Sequence, residues 1–178
     1  MDIRAKFGLE KDYALITLHR PSNVDEKETF ERIISAIEDI SGNIQFVFPM
    51  HPRTRKMAVK FDLFERLQSI EGMNITEPAG YLDFIALMSK SKLVLTDSGG
   101  LQEETTALGI PCITIRENTE RPVTITEGTN QLVGTDRDKI VKIGKETLEG
   151  NGKSGRIPKF WDGKTAQRIV DVLLENVD

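Results

Sequence analysis

The sequence LVLTDSGGLQEE, residues 93–104, decides the fold class of this chain. Its first four residues are apolar or β-branched, as expected of a strand buried inside a parallel sheet. Gly99 and Gly100 are expected to form a tight turn that allows positive φ and close approach of a ligand. The helix that follows points its free N–H groups at this turn, which favours a phosphate. Glu103 or Glu104 can then reach a ribose hydroxyl. A purely structural β–α turn is the alternative.

Strand-like and helix-like segments alternate along the rest of the chain. Because strands separated by helices of this length form parallel sheets covered on both faces, we predict a doubly wound α/β domain. Asp25 is the expected N-cap of the first helix, and Gly109 is expected to end the helix after the glycine turn. The predicted strands are Tyr13–Leu18, Ile44–Phe48, Met73–Thr76, Leu93–Asp97, Ile110–Ile115 and Gln131–Val133. The predicted helices are Asp25–Ile40, Thr54–Ile70 (one or two), Tyr81–Lys90, Leu101–Leu108, Lys139–Leu148 and Thr165–Val177.

Length and charge limit the class of protein. The 178 residues suit a single domain, 1–178, with a core over residues 1–155 and a C-terminal helical segment over 156–178. The net charge of −4 argues against a nucleic-acid-binding protein. The single cysteine, Cys112, lies in an apolar run and is expected to be buried rather than reactive. No membrane span or signal peptide is recognised, so we expect a cytoplasmic protein.

Polar residues follow the predicted strands at the points where they end. His19 and Arg20 come after the first strand, His51 and Arg53 after the second, and Asp97 after the fourth. Ligands of open α/β sheets bind outside the carboxyl ends of the strands. We therefore expect both histidines at one rim, facing the glycine turn, although a solvated loop histidine is the ordinary alternative for each.

Four arginines at this rim suggest anion binding. Arg20, Arg53, Arg116 and Arg121 can each form bidentate contacts with a diphosphate, and a surface ion pair is the alternative for each. The scattered histidines and acids match no metal-site spacing. Ser98 lacks the nucleophile elbow of hydrolases, and the turn is neither a phosphate-binding loop with Gly-Lys-Ser/Thr nor a nicotinamide fingerprint.

Five motifs follow one another along the chain, namely His19-Arg20-x-x-Asn23, Pro49-x-His51-Pro52, Glu77-Pro78-x-x-Tyr81, Asp97-Ser98-Gly99-Gly100-x-Gln102-Glu103-Glu104 and Thr119-Glu120-Arg121-Pro122. Together they resemble the non-hydrolysing UDP-N-acetylglucosamine (UDP-GlcNAc) 2-epimerases. The resemblance covers nearly all of this chain but only the C-terminal half of that family. Those enzymes are similar to two-domain GT-B glycosyltransferases, in which the active site lies between two Rossmann-like domains.

The resemblance implies a role for the residues around the glycine turn. Ser98, Gly99 and Gly100 would hold the diphosphate of UDP, and Glu104 would bind the ribose hydroxyls. These roles agree with the interpretation of the turn from its own residues. No redox cofactor or metal is implied.

The resemblance also implies roles for residues on the other loops. Ala79, through its backbone, and Phe84 would hold the uracil, and Arg121 would contact the substrate. His19 matches a catalytic histidine that helps to stabilise the departing UDP. His51 matches a histidine that, in allosterically regulated bacterial members, lies between the substrate site and a second UDP-sugar site.

The family reaction interconverts UDP-GlcNAc and UDP-N-acetylmannosamine (UDP-ManNAc) by elimination and re-addition of UDP. The carboxylates expected to move the C2 proton belong to an N-terminal domain, so this chain is expected to need that domain or a homo-oligomer partner. In GT-B proteins the terminal helix often crosses to the N-terminal domain. Without that domain, Trp161 and the apolar residues among 169–174 are expected to be exposed, to repack locally or to pair with another chain. A hydrolysing 2-epimerase, a GT-B glycosyltransferase half and a non-catalytic UDP-sugar-binding module are the alternatives.

Overall fold

A parallel β-sheet forms the centre of the computed structural model, which describes residues 2–42 and 44–176. The order of the strands is β3-β2-β1-β4-β5-β6. The strands are β1 Tyr13–Thr17, β2 Gln45–Pro49, β3 Met73–Thr76, β4 Leu93–Thr96, β5 Cys112–Thr114 and β6 Asn130–Leu132. This arrangement confirms the predicted doubly wound, Rossmann-like α/β fold.

Helices connect the strands and cover the sheet. They are α1 Ile3–Lys6, α2 Pro21–Val24, α3 Lys27–Ile40, α4 Pro52–Lys60, α5 Phe64–Ser69, α6 Tyr81–Ser89, α7 Gly99–Leu108, α8 Pro122–Thr126, α9 Arg137–Glu146 and α10 Thr165–Glu175. A π-helical turn, Thr147–Asn151, continues α9. Each predicted helix is present. Within the described residues, none of these helices is long and apolar enough to span a membrane.

Alternate residues of the central strands point to two separate apolar cores. Ala14 and Ile16 of β1 pack with α3 and α9 on one face, whereas Tyr13 and Leu15 pack with α6 and α7 on the other. A strand buried on both faces needs apolar side chains at successive positions, which is the pattern that the sequence shows. Cys112 of β5 is buried as predicted, and burial raises the pKa of its thiol to about 11.

The start of α3 differs from the prediction. Pro21 begins the short helix α2, which the sequence analysis did not predict, and Asp25 ends that helix as its C-cap. Helix α3 therefore starts at Lys27 with Glu26 as its N-cap, and Asp25 is not the cap. The Asp25 carboxylate instead accepts a hydrogen bond of 3.0 Å from Nε of Arg53. Helices α1 and α8, also unpredicted, have four and five residues.

The glycine turn is also different from the prediction. Helix α7 begins at Gly99, so that both Gly99 and Gly100 lie in its first turn rather than before it. Neither of them has positive φ. Gly109 does end the helix in the left-handed conformation, with φ of 70°, as predicted. The two N-terminal glycines are therefore not required by the backbone conformation of the turn.

The C-terminal helix presents an apolar face to solvent. Ile169, Val170, Val172, Leu173 and Leu174 of α10 are each between 47% and 71% exposed. The Arg168 side chain fixes the start of the helix by contacts with Asp162 and the Phe160 ring. Val177, the predicted last residue of this helix, lies outside the described residues.

Candidate functional site

The candidate site lies at the carboxyl ends of β1 and β4, the two neighbouring strands at which the order of the sheet reverses. Asp97 follows β4 and is completely buried. Its carboxylate accepts backbone N–H hydrogen bonds from Arg20 at 2.9 Å and from His19 at 3.0 Å. It also accepts a bond of 3.2 Å from the Asn23 amide. One carboxylate thereby shapes the whole loop that follows β1.

His19 is oriented by the same carboxylate. Its Nδ1 lies 3.0 Å from Oδ1 of Asp97, and this bond leaves Nε2 as the ring nitrogen available to a ligand. A hydrogen bond of 2.7 Å between the hydroxyls of Thr17 and Thr96 joins the two strands directly beneath the pair. The backbone N–H of Ser98 donates to the Thr96 hydroxyl at 2.9 Å and fixes the start of the next loop.

The protonation of this pair follows from its contacts. Burial raises the pKa of Asp97, but the hydrogen bonds from the His19 ring and from two backbone N–H groups outweigh burial, so that the pKa lies below 3.8. The bond to Asp97 raises the pKa of His19 above 6.5 despite partial burial. Asp97 therefore loses its stabilising contribution as pH falls through its folded-state pKa. His19 loses its contribution as pH rises through its folded-state pKa, and both are complete between the ordinary values of 3.8 and 6.5.

The N-terminus of α7 is open to an anion. Ser98 is its N-cap but makes no side-chain cap bond within the described residues, so that both its hydroxyl and the first N–H groups of the helix can meet a ligand. Among the described residues, a Cβ placed on Gly100 would have no neighbour within 4 Å, which means that the fold itself would accept a side chain there. The glycine instead leaves the backbone uncovered.

A cavity of about 200 Å³ brings together residues from four loops. His19 and His51 lie on one side, with their ring centroids 5.6 Å apart, so that both histidines do meet at one rim. Nδ1 of His51 accepts a bond of 3.1 Å from the backbone N–H of Arg53 and caps α4. The predicted site residues that line the cavity are His19, His51, Ala79, Phe84 and Ser98.

Other predicted site residues lie beside this cavity rather than in its wall. Nε of Arg121 forms an ion pair of 3.0 Å with Glu103 on α7. Nε of Arg20 donates a bond of 2.8 Å to the backbone carbonyl of Asp97. Glu104 is half-buried, and within the described residues its carboxylate has no hydrogen-bond or ion-pair partner. Burial, and then the neighbouring Glu103 charge, raises the pKa of Glu104.

Three of the four arginines proposed as diphosphate ligands are paired with acids. Arg53 pairs with Asp25, Arg116 pairs with Glu120, and Arg121 pairs with Glu103. The surface ion pair that the sequence analysis kept as an alternative is therefore present at Arg53 and Arg121. Arg20 is the arginine of the four that forms no carboxylate ion pair among the described residues.

The family of the chain follows from comparison with known proteins. The family model described as UDP-N-acetylglucosamine 2-epimerase matches residues 1–174. The chain belongs to this family. The UDP-N-acetylglucosamine 2-epimerase of Methanocaldococcus jannaschii is 43% identical over 177 residues, which are 97% of this chain and 48% of that protein. The Escherichia coli K12 enzyme of the same name is 35% identical over 176 residues, 94% of this chain and 45% of that protein.

Solved structures of 2-epimerases are also similar to this chain. The M. jannaschii UDP-GlcNAc 2-epimerase in complex with UDP-GlcNAc and UDP has a TM-score of 0.82 and 42% identity, covering 97% of this chain and 48% of that chain. The Neisseria meningitidis enzyme bound to UDP-GlcNAc has a TM-score of 0.82 and 31% identity, covering 98% and 48%. The E. coli heptosyltransferase WaaC has a TM-score of 0.53 and 17% identity, covering 80% and 44%, and shares only the fold. The chain spans about half the length of the curated 2-epimerases that it matches.

A buried polar network connects two of the five motifs, the one over residues 97–104 and the one over residues 119–122. The Gln102 amide donates to the Ser98 carbonyl at 3.3 Å and accepts a bond of 2.5 Å from the Thr119 hydroxyl. Its oxygen also accepts from Asn130 of β6 at 3.2 Å. Gln102 and Asn130 are both completely buried. The network holds the loop over residues 116–121 against the start of α7.

Asp97, Gln102 and Asn130 were assigned no role from the sequence, although Asp97 and Gln102 lie in one of the five motifs. A role for Asp97 could have been inferred, because a charged residue directly after an apolar strand at the reversal of the sheet must be paired. Asn130 gives no comparable signal, since its partners lie on other elements. No group of three or more metal-ligating side chains occurs in the described part of the chain. A larger depression of about 630 Å³ lies at the opposite, amino-terminal edge of the sheet, away from the motif residues.

We expect Asp97→Asn to destabilise the fold and to change the titration of His19. The amide cannot accept every N–H that the carboxylate accepts, and a donor left unpaired in the interior costs about 1–3 kcal/mol. The pKa of His19 should fall, because the stabilising charge is lost. Urea unfolding and an NMR titration of the histidine ring measure the two effects. Asp25→Asn, which removes the more exposed ion pair with Arg53, should change the unfolding free energy much less than Asp97→Asn does. An unchanged His19 pKa in Asp97→Asn would contradict the assignment.

Proposed function

We propose that this chain supplies the UDP-binding half of a UDP-GlcNAc 2-epimerase. The observation that carries the proposal is the open N-terminus of α7 beside the Asp97-oriented His19, at the reversal point of the sheet. The relatives named above support it, since the M. jannaschii structure holds UDP-GlcNAc and UDP. A cavity of about 200 Å³ is smaller than the usual site for a small molecule, which agrees with half of a site.

The diphosphate is proposed to bind at the start of α7. Ser98 offers its hydroxyl, and Gly99 and Gly100 offer N–H groups that the helix leaves unpaired. His19 offers Nε2 from the neighbouring loop, and its raised pKa favours the cationic ring. Arg20 adds a second positive charge. These groups would stabilise the negative charge that develops on UDP as it departs.

The nucleoside is proposed to extend from this point along the cavity. Ala79, through its backbone, and Phe84 would hold the uracil, since both line the same cavity wall. Glu104 would bind the ribose hydroxyls, because its carboxylate lies near the start of the helix and is not engaged by another described residue. Arg121 and His51 would contact the substrate from the rim.

The proposed reaction is an elimination followed by an addition. A base removes the proton from C2 of the sugar, the C1–O bond breaks, and its electron pair leaves with UDP. The bound 2-acetamidoglucal then accepts a proton on the opposite face of C2, and UDP adds back at C1 to give UDP-ManNAc. This chain contributes the groups that hold UDP, and the acid and base at C2 would come from an N-terminal domain.

The exposed face of α10 supports the need for that domain. Five large apolar side chains in solvent on one helix are unusual for a complete protein surface. We propose that the N-terminal domain covers this face and closes over the cavity. A second copy of this chain is the alternative occupant of α10.

A second nucleotide-sugar substrate is supported by one relative. The Pseudomonas aeruginosa UDP-2,3-diacetamido-2,3-dideoxy-D-glucuronate 2-epimerase is 37% identical over 166 residues, 90% of this chain and 44% of that protein. Its named substrate shares the uridine diphosphate and differs in the sugar. A site that holds the UDP part would serve either substrate.

Calorimetric titration of the chain with UDP tests the proposed half-site. We expect saturable binding that Glu104→Ala weakens by about 1.5–3 kcal/mol, the usual value for a hydrogen bond to a charged group. Glu65→Ala, which removes an acid from α5, is the matched control and should bind UDP as the parent does. Absence of binding to the folded chain, or equal loss in both variants, would contradict the proposal.

We expect Gly100→Ala to raise the stability of the free chain and to lower its affinity for UDP. Alanine is favoured over glycine in a helix by up to about 1 kcal/mol, and its methyl group meets no atom of the free chain. The same methyl group would lie where a phosphate must approach the backbone, so UDP affinity should fall at least about tenfold. Thermal unfolding and the UDP titration measure the two effects. Unchanged UDP affinity would place the diphosphate elsewhere.

Turnover should require an N-terminal domain of the family as well as this chain. We expect no turnover by the chain alone, whereas fusion to the N-terminal half of the M. jannaschii relative should convert UDP-GlcNAc to UDP-ManNAc. A fusion carrying His19→Ala is the control and should lose most of this activity. NMR of the products distinguishes the alternatives, because release of free N-acetylmannosamine would show hydrolysis instead of epimerisation.

A further inference from the structure

The diphosphate region of the site already holds an anion that belongs to the protein. The Glu120 carboxylate forms hydrogen bonds with the Arg116 guanidinium of 3.0 Å to Nη1 and 2.8 Å to Nη2. The Arg116 side chain is only 8% exposed, whereas that of Glu120 is 61% exposed. The arginine is therefore fixed in the fold, and the carboxylate is the partner that is free to move away.

This ion pair lies against the first turn of α7. A Cβ placed on Gly99 would lie 3.9 Å from Nη1 of Arg116 and 3.9 Å from Oε2 of Glu120. Arg20, on the loop after β1, is close enough for its charge to favour the ionised form of Glu120. Two arginines and the N-terminus of a helix thus surround one carboxylate, and these are the groups that otherwise attract a phosphate.

We infer that Glu120 is an internal competitor that the diphosphate of a nucleotide must displace from Arg116, so that Glu120 lowers the affinity of the chain for UDP. The inference rests on the proposed function. An almost buried guanidinium is costly to leave without a counter-ion, so that one anion must replace another. A diphosphate brings more charge and more acceptor oxygens than a carboxylate and can replace it. A monophosphate brings less and competes less well.

Glu120 is ionised whenever a nucleotide competes with it. The hydrogen bond from Arg116 lowers the pKa of Glu120 to about 2. The competition is therefore between two anions at every pH at which binding would be measured. Lowering the pH toward 5 should not release the site, since the carboxylate stays charged.

Titration of Glu120→Gln with UDP and with UMP tests the inference. The amide keeps the size of the side chain and removes its charge, so UDP should bind about tenfold more tightly, the scale of one hydrogen bond to a charged group. The affinity for UMP should rise by a smaller factor, because a single phosphate depends less on access to Arg116. Without ligand, Glu120→Gln should unfold at a lower temperature than the parent, because Arg116 loses its counter-ion. Saturating UDP should remove this difference in unfolding temperature.

Two further variants serve as controls. Glu127→Gln makes the same change in net charge at the other end of α8, where Glu127 pairs with Arg156 at 3.2 Å, and should leave UDP affinity within about twofold. Glu120→Asp keeps the negative charge and should stay close to the parent. A gain in Glu120→Asp equal to that in Glu120→Gln would overturn the inference, because charge would not be the cause.

The remaining outcomes separate this inference from the proposed function. If the parent binds UDP and Glu120→Gln binds it equally or more weakly, Glu120 orients Arg116 for the ligand and the inference is wrong. If neither the parent nor Glu120→Gln binds UDP, the proposed UDP site is wrong as well. Tighter binding of UDP by Glu120→Gln than by Glu127→Gln supports both.

Discussion

The buried Asp97 carboxylate is the constraint on which the site depends. It lies at the carboxyl end of β4 with no exposure to solvent, so its charge must be balanced by hydrogen bonds from within the protein. The loop after β1 provides them, through two backbone N–H groups, the Asn23 amide and the His19 ring. Because the same contacts satisfy the charge and shape the loop, the position of His19 follows from the need to pair a buried acid. Asn23 also donates to the Ile115 carbonyl at 2.8 Å and extends this order to β5.

Two arginines supply positive charge at the site, and they differ in burial and in whether a carboxylate already pairs with them. The Arg116 guanidinium is nearly buried and paired, while Arg20 lies near the cavity and donates from Nε to the Asp97 carbonyl. The N-terminus of α7 adds dipole charge that no titration removes. The chain as a whole is acidic, with a net charge of −4, so the cationic character is local to the ends of β1, β4 and β5.

Local patterns in the sequence predicted most of the fold, and they failed where an element is too short to show a period or where distant segments meet. Buried strands such as Leu93–Thr96 and the apolar face of α3 have strong periodic signals. The short helices α2 and α8 have none, because four or five residues around a proline do not establish a period. The predicted conformation of the glycine turn was wrong, since Gly99 and Gly100 are equally able to begin a helix. Both histidines lie at one rim as predicted, because a parallel sheet places the carboxyl ends of its strands at the same edge. The network around Gln102 depends on segments brought together only by folding. Arg116 pairs with Glu120 within one irregular loop, where no periodic pattern indicates which side chains meet.

The burial of Cys112 makes its thiol a reporter of core opening. The chain has a single cysteine, and it lies in β5 between β4 and β6 with its thiol enclosed by the core. A thiol reagent can reach it only in molecules whose sheet has opened at that strand. The sequence thus contains its own kinetic reporter of core opening. Because it has no second cysteine, all labelling would come from Cys112. The rate of labelling would measure how often the protein opens far enough to expose β5.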